Sequence, residues 1–117
     1  MFGPMASIPA RERVLQEPLL TELVGQLEGW ASDGRRLEKT FTLRGWKSAI
    51  AFVDRIAEAA TAADHHPDIH VEGYKRVRVV LTTHVSGGIS QADVDLASAI
   101  DRSADAASAT TSKAPTS

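Results

Sequence analysis

Hydrophobic residues recur at helical spacing in three stretches of the chain. The first stretch begins near Glu17 and ends at Gly29. The second covers residues 45–64, where the apolar positions share one face and the charged residues lie largely elsewhere. The third follows Ser90, which forms a capping-box pattern with Asp93 three residues later. The pattern predicts three amphipathic helices, each with an apolar face to bury.

Runs of β-branched and alternating residues lie between these helices. Residues 30–32 and 37–43 flank an Asp-Gly dipeptide, which is a strong signal for a hairpin turn. Residues 69–71 and 77–85 flank Gly73 and nearby polar residues, which indicates a second hairpin. Alternation in the strand at 37–43 places four residues on one face: Leu37, Lys39, Phe41 and Leu43.

The element order is helix, two strands, helix, two strands, helix. Short turns join the strands of each pair, so the sheet should be antiparallel, and its apolar face must be covered by the helices. We therefore predict an α+β fold in two layers, a four-stranded antiparallel sheet with the helices packed on one face. The edges of such a sheet favour edge-to-edge dimerisation.

Composition changes at both ends of the chain. The 117 residues fit one domain and leave no room for two independent cores. Residues 1–14 contain glycine and prolines without any periodic pattern, and we expect a flexible segment there. Residues 106–117 are almost wholly Ala, Ser and Thr, so we expect a disordered tail. The single domain is expected at residues 15–105.

Charge and cysteine content limit the classes of function. A formal net charge of -2 gives no reason to expect a nucleic-acid partner, which would need a basic face. The absence of cysteine excludes disulfides, thiolate nucleophiles and thiolate-bound metals. No apolar run approaches the roughly 20 residues of a membrane helix, and the first residues lack the apolar stretch of a secretory signal. We therefore expect a cytoplasmic protein without a membrane partner.

Three of the four histidines lie at positions that suit chemistry. His65 and His66 directly follow the longest predicted helix, and Pro67 restricts His66 to extended backbone. His84 lies near the end of the last predicted strand, where alternation would place it on the same side as Thr82. Ordinary structural roles compete with catalysis at these positions, since a helix C-terminus favours an imidazolium ion.

A metal site is a weaker interpretation of the same residues. The histidines could supply imidazole ligands, with Asp64 or Asp68 as a carboxylate ligand. However, no histidine pair has the i, i+4 helical spacing of a zincin motif, and cysteine is missing. The sequence also lacks a Gly-x-Ser-x-Gly elbow and a glycine-rich phosphate loop. We therefore expect no metal and no nucleophilic serine.

The stretch Asp64-His65-His66-Pro67, followed by Tyr74 and then His84, resembles the signature of the pterin-4a-carbinolamine dehydratases. The resemblance continues through three later segments, at residues 81–84, 88–90 and 93–97, and upstream through Gly29-Trp30 and the start of the second helix. It extends roughly from Leu19 to Asp101. Several spaced elements agree in order, so the signal is far more specific than one His-His dipeptide.

The resemblance implies a specific reaction. These enzymes remove water from 4a-hydroxytetrahydropterin to give quinonoid dihydropterin, which recycles the cofactor of aromatic amino-acid hydroxylases. They use no metal or organic cofactor of their own, and they assemble as homodimers or homotetramers. Dehydration needs a proton for the departing hydroxyl and a base for the neighbouring ring nitrogen, and imidazole can serve both needs near neutral pH.

The resemblance also assigns roles to residues. It implies that His66 is the principal acid/base and that His65 and His84 flank the pterin. The end of the last strand is expected to hydrogen-bond the flat ring through its backbone. The expected substrate-binding residues are Asp64, Pro67, Thr83, Val85, Ser86 and Asp93.

The two acidic residues in this set also have structural interpretations. Asp93 fits the signature but also fits a helix-capping role in the predicted capping box, and both interpretations stay open. Asp64 could end the long helix or orient a histidine, and the sequence does not separate the two.

The chain departs from the family pattern at two positions. Thr61 stands where a charged residue, often Glu, is common, and Ile69 stands where an aromatic residue is common. These changes could affect the orientation of a histidine and the contact with the pterin. His70 has no matching role and is expected to be a surface strand residue. Two alternatives follow: a non-catalytic interaction module of the kind that serves as a dimerisation cofactor in transcription, and an enzyme for a different pterin-like substrate.

Overall fold

The computed structural model describes residues 8–107 and 109–112. A 3-10 turn at Ala10–Glu12 precedes three helices and five strands. The helices are α1 (Leu19–Gly25), α2 (Trp46–Ala63) and α3 (Gln91–Ala106). The strands are β1 (Ala31–Ser32), β2 (Leu37–Thr42), β3 (Asp68–Glu72), β4 (Arg76–Leu81) and β5 (Thr110–Ser112).

The strands form one antiparallel sheet in the order β1-β2-β4-β3. The two predicted hairpins are joined by pairing of the central strands β2 and β4. In this pair Leu37 lies opposite Leu81 and Thr42 lies opposite Arg76. β5 adds a fifth strand that pairs with β2 beside β1. The predicted α+β fold, with helices and four antiparallel strands in the predicted order, is confirmed.

The core lies between the sheet and the helices. The apolar stripe of α2 is buried as its helical spacing predicts, at Ala49, Phe52, Ile56 and Ala60. The predicted face of β2 is also buried, and Phe41 packs edge-to-face on Phe52 with ring centroids 5.0 Å apart. Burial of this face against two helices is what fixes the register of the strand, because a slip by one residue would expose it.

Lys39 is a charged residue on that buried face, and its charge is paired. Its Nζ donates to Oδ1 of Asp101 in α3 at 2.8 Å and to the carbonyl oxygen of Glu28 at 2.9 Å. The indole nitrogen of Trp30 donates to the same Asp101 carboxylate. These contacts join β2 to α3 and account for a lysine in the apolar layer.

Residues 8–14, which belong to the segment expected to be flexible, contact the domain. Ile8 is buried, Val14 forms an antiparallel bridge with Ser90, and the Leu15 amide donates to the carbonyl of Ile89 at 2.8 Å. Long-range backbone pairing of this kind leaves no periodic signal in the sequence. Residues 1–7 lie outside the described residues.

The described part of the segment expected to be a disordered tail, at 106–117, also contacts the domain. Ala106 belongs to α3, the Ala109 amide donates to the carbonyl of Ala104 at 3.0 Å, and β5 pairs with residues 40–42 of β2. β1 pairs with only the first two residues of β2, which leaves the rest of that edge open to β5. Residues 108 and 113–117 lie outside the described residues.

Within the described part of the chain, no helix is both long enough and apolar enough to cross a membrane.

Candidate active site

The C-terminus of α2 directs the two adjacent histidines. Asp64 has the left-handed backbone conformation, with φ 50°, and its amide donates to the carbonyl of Thr61 at 3.2 Å. The His65 amide donates to the carbonyl of Ala60 at 3.1 Å. This pair of bonds is a Schellman motif with Asp in the position that glycine usually holds. Asp64 therefore ends the helix and turns the chain so that His65 enters the domain.

His65 is held by a buried carboxylate. Its Nε2 lies 2.6 Å from Oδ1 of Asp93, and only 8% of the histidine is exposed, while Asp93 is fully buried. A carboxylate is an acceptor, so Nε2 carries the hydrogen of this bond. In a neutral ring Nδ1 is then the free acceptor. No buried, unpartnered side-chain nitrogen or oxygen occurs among the described residues, so Nδ1 retains access to the surface.

The second oxygen of Asp93 belongs to a separate set of bonds. Its Oδ2 accepts from the Ser90 amide at 2.9 Å and from the Thr83 hydroxyl at 2.6 Å. The Ser90 hydroxyl lies 2.6 Å from that of Thr83, and the predicted capping box of α3 is present. The helix-capping interpretation of Asp93 is therefore confirmed through Oδ2, and Oδ1 also contacts His65.

His84 lies in a tight turn and not in a strand. β4 ends at Leu81, so the predicted strand through residue 85 is wrong in its last part. The Thr83 amide donates to the carbonyl of Gly88 and the Gly87 amide donates to the carbonyl of Thr83, both at 2.8 Å. The chain therefore reverses after Thr83, and the predicted alternation of His84 with Thr82 does not apply.

The turn after Thr83 and the end of α2 form an open depression of about 220 Å³. This is smaller than the roughly 300–1,000 Å³ of pockets for drug-sized ligands, so it has room only for a small molecule. His66 and His84 are exposed at its surface. Its lining residues are Glu12, Asp64, His65, His66, Thr82, Thr83, His84 and Val85.

The structure thus brings together all three predicted catalytic histidines. Three of the predicted substrate-binding residues also line the depression: Asp64, Thr83 and Val85. The other three predicted residues are not among its lining: Pro67, Ser86 and Asp93. Asp93 contacts the site through His65 instead. Ser86 belongs to the turn beneath it, where its amide donates to the carbonyl of Thr83 at 3.2 Å.

Sequence reasoning missed Glu12 and Thr82. Glu12 lies in a segment without periodicity, and its approach to the histidines depends on the bridge between Val14 and Ser90. The sequence pattern indicates Thr82 only as a strand neighbour of His84. Its hydroxyl donates to the carbonyl of Arg35 at 2.7 Å, which joins the depression to the first hairpin.

Thr61 and Ile69, the two residues that depart from the family pattern, have local contacts. The Thr61 hydroxyl donates to the carbonyl of Ala57 at 2.8 Å, and Thr61 does not line the depression. Ile69 is half-buried and packs against the core. His70 is exposed in β3, which confirms the surface position expected for it.

Two displaced carboxyl pKa values lie outside the histidine site. Arg78 donates to the carboxylate of Glu72 and holds the pKa of that group below its usual value. The backbone amides of Arg35 and Arg36 likewise lower the pKa of Asp33 in the first hairpin turn. Among the described residues, no group of three or more His, Asp or Glu side chains is arranged to hold a metal ion.

Known proteins resemble the chain in sequence. A sequence profile described as pterin 4 alpha carbinolamine dehydratase matches residues 13–103. A candidate pterin-4-alpha-carbinolamine dehydratase of Roseiflexus sp. (strain RS-1) is 46% identical over 87 residues, which cover 74% of this chain and 92% of the relative. A second candidate, from Thermosynechococcus vestitus, is 48% identical over 77 residues, which cover 66% of this chain and 80% of the relative.

Solved structures resemble it in fold. The crystal structure of a transcriptional coactivator/pterin dehydratase from Brucella melitensis has a TM-score of 0.71 and 32% identity, covering 77% of this chain and 97% of that chain. A pterin dehydratase-like protein described as a RuBisCO assembly factor in the alpha-carboxysome, 24% identical with a TM-score of 0.52, shares the fold. With the profile match over most of its length and relatives above 40% identity, this chain belongs to the pterin-4a-carbinolamine dehydratase family.

Proposed function

We propose that the protein dehydrates a 4a-hydroxytetrahydropterin to the quinonoid dihydropterin by histidine acid–base catalysis, without a metal or cofactor of its own. The observation that carries this proposal is the depression lined by His65, His66 and His84, with one of the three rings fixed by the buried Asp93. Convergent imidazoles with one fixed tautomer suit a reaction that needs an acid and a base at once.

The reaction needs two proton transfers and one bond cleavage. The bond from C4a to the hydroxyl oxygen breaks, and the oxygen leaves as water after it receives a proton from an imidazolium. The neighbouring ring N–H gives its proton to a neutral imidazole, and its electron pair forms the C=N bond of the quinonoid product. The atoms and electrons of the substrate equal those of quinonoid dihydropterin plus water, so the reaction requires no oxidant or reductant.

His66 is proposed as the principal acid/base. It is exposed at the depression and Pro67 follows it, so its backbone is restricted while its ring can exchange protons with water. His84, exposed on the opposite turn, is proposed to flank the pterin. Positioned acid–base groups of this kind typically contribute about 10²–10⁴-fold to a rate.

His65 and Asp93 are proposed to act as an oriented pair. The carboxylate fixes the hydrogen on Nε2, so Nδ1 can accept a hydrogen bond or a proton from the substrate. Asp93 is a positioning residue in this scheme, because the fully buried carboxylate reaches the depression only through the ring.

The test is a direct assay with enzymatically generated 4a-hydroxytetrahydropterin, following the quinonoid product by absorbance. We expect His66→Ala to lower the catalysed rate by about 10²-fold or more, and His84→Ala to lower it less. His70→Ala is the matched control, because His70 is an exposed histidine outside the depression. A wild-type rate equal to the spontaneous one would overturn the proposed function, and full activity of His66→Ala would overturn its assigned role.

The proposed setting follows from the product. Quinonoid dihydropterin must be reduced before the pterin can serve an aromatic amino-acid hydroxylase again, so the protein is proposed to be coupled functionally to such an enzyme. Assembly as a homodimer or homotetramer is proposed on the basis of the family, and light scattering on the purified chain tests it.

A non-catalytic interaction role is the second candidate. Trp46 and Ile50 lie one turn apart on α2 and are 57% and 37% exposed, so this helix face presents apolar surface that a partner could cover. The Brucella melitensis relative is described as both a coactivator and a dehydratase. An inactive wild-type protein that binds a partner through Trp46, with the binding lost in Trp46→Ala, would favour this role.

A further inference from the structure

Glu12 is the residue at the depression whose purpose is not explained by the histidine network. The depression contains two acidic side chains, and the other one, Asp64, ends α2. The Glu12 side chain is only 23% exposed. Among the described residues its ion-pair partner is the neighbouring Arg11, at 3.4 Å and itself 42% exposed. Exposed pairs of this kind are weak, so the carboxylate is available to a ligand.

A framework of backbone contacts holds Glu12 in this place. Its amide donates to the carbonyl of Pro9 at 2.9 Å, which closes the 3-10 turn. Two residues later, Val14 forms its bridge with Ser90, the residue whose amide is bound by Asp93. A Cβ atom at Gly88 would lie 3.2 Å from a methyl group of Val14, so glycine permits the close approach of the two segments. Glu12 is therefore positioned by the same loop that supports the histidine site.

The pterin ring offers a group that suits this carboxylate. Its pyrimidine part carries a ring N–H at N3 and an amino group at C2, two N–H donors that point the same way. A carboxylate has two acceptor oxygens at matching separation and can accept both bonds at once. An imidazole presents at most one acceptor, so no single histidine can accept both bonds.

We propose that Glu12 binds the 2-amino and N3–H groups of the pterin and selects 2-aminopteridines over their 2-oxo counterparts. This inference rests on the proposed function, since it presumes a pterin in the depression. A 2-oxo ring places a carbonyl oxygen where the amino group would donate, so the carboxylate would face an acceptor and a desolvated charge.

The test compares two ligands on three proteins. Dissociation constants of 7,8-dihydropterin and 7,8-dihydrolumazine, which has oxygen at C2, are measured by calorimetry for the wild type, Glu12→Gln and Glu22→Gln. Glu22 is an exposed carboxylate on α1 that does not line the depression, so it controls for the change in charge. We expect the wild type and Glu22→Gln to prefer dihydropterin by roughly 10- to 100-fold. Glu12→Gln should lose most of this preference.

Kinetics provide the second measurement. Because the contact is made in the ground state and the transition state alike, Glu12→Gln should raise KM about as much as it weakens binding and leave kcat nearly unchanged. An active wild type without ligand preference, or a Glu12→Gln variant that keeps the preference, would overturn the role of Glu12 alone. A wild type that neither binds dihydropterin nor accelerates dehydration would overturn the proposed function and this inference together.

Discussion

Asp93→Asn isolates the orienting role of the buried carboxylate. The substitution keeps the shape of the side chain but replaces one oxygen with a donor. The oxygen that remains should stay with the Ser90 amide and the Thr83 hydroxyl, since both are donors. The new amide group then faces His65, which must become an acceptor at Nε2 and move its hydrogen to Nδ1. In a neutral ring, Nδ1 would then be a donor where it is otherwise an acceptor.

The expected magnitudes follow from the three short bonds that Asp93 accepts, at 2.6, 2.6 and 2.9 Å. Hydrogen bonds to a charged group contribute about 1.5–3 kcal/mol and neutral ones about 1 kcal/mol, so the amide should destabilise the fold by about 2 kcal/mol. For a domain of this size that lowers Tm by about 10 °C. Loss of the correct tautomer should lower kcat by about 10²–10⁴-fold.

The assay combines turnover, thermal unfolding by circular dichroism and long-range ¹H–¹⁵N NMR correlations, which report the tautomer of His65. Asp95→Asn is the control, because Asp95 lies in the same helix, is exposed and bonds only to Gln91 among the described residues. It should change neither kcat nor the His65 signals. An Asp93→Asn protein with wild-type kcat would refute the orienting role. A large loss of kcat with an unchanged tautomer would refute the proposed reason for it.

Three further predictions concern other parts of the fold. Asp64→Gly should raise Tm by about 2–4 °C because glycine adopts the left-handed conformation without strain, and a lower Tm would contradict the helix-ending role. Arg78→Gln should raise the pKa of Glu72, measured by NMR titration. The lowered pKa means that their pairing stabilises the fold above the usual carboxyl pKa, and that this stabilisation is lost as the pH falls through the lowered value. Removal of β5 should speed hydrogen exchange at the amides of Thr40 and Thr42, which face it, and unchanged exchange would argue against the pairing.

The helices and the central strands could be predicted because their burial follows local periodicity. The buried residues of α2 recur at helical spacing, and the buried residues of β2 alternate with more exposed ones. The end of β4 could not be predicted in this way. β-branched residues continue to Val85, but the bond from the Thr83 amide to Gly88 turns the chain first. Propensity describes what a segment can form, and the turn depends on a partner five residues away.

The candidate site also has a part that the sequence predicts and a part that it does not predict. The histidine trio was accessible from the sequence because its spaced pattern resembles that of a known family. The bond between His65 and Asp93 joins residues 28 positions apart, and no rule of spacing predicts it. Glu12 was hidden for the same reason, since an irregular segment reaches the site by pairing with Ser90. Contacts between distant segments decided these parts of the site.

The shared carboxylate of Asp93 also links the dynamics of α3 to the chemistry. If the first turn of α3 opens, Ser90 and Thr83 lose their acceptor and His65 loses its fixed orientation in the same event. Local opening of that turn and loss of the competent site then share one free energy. Turnover should therefore decline at the temperature where this helix end frays. That temperature should be lower than the one at which the sheet unfolds. Substitutions far along α3 that loosen this turn would reduce activity without touching the depression.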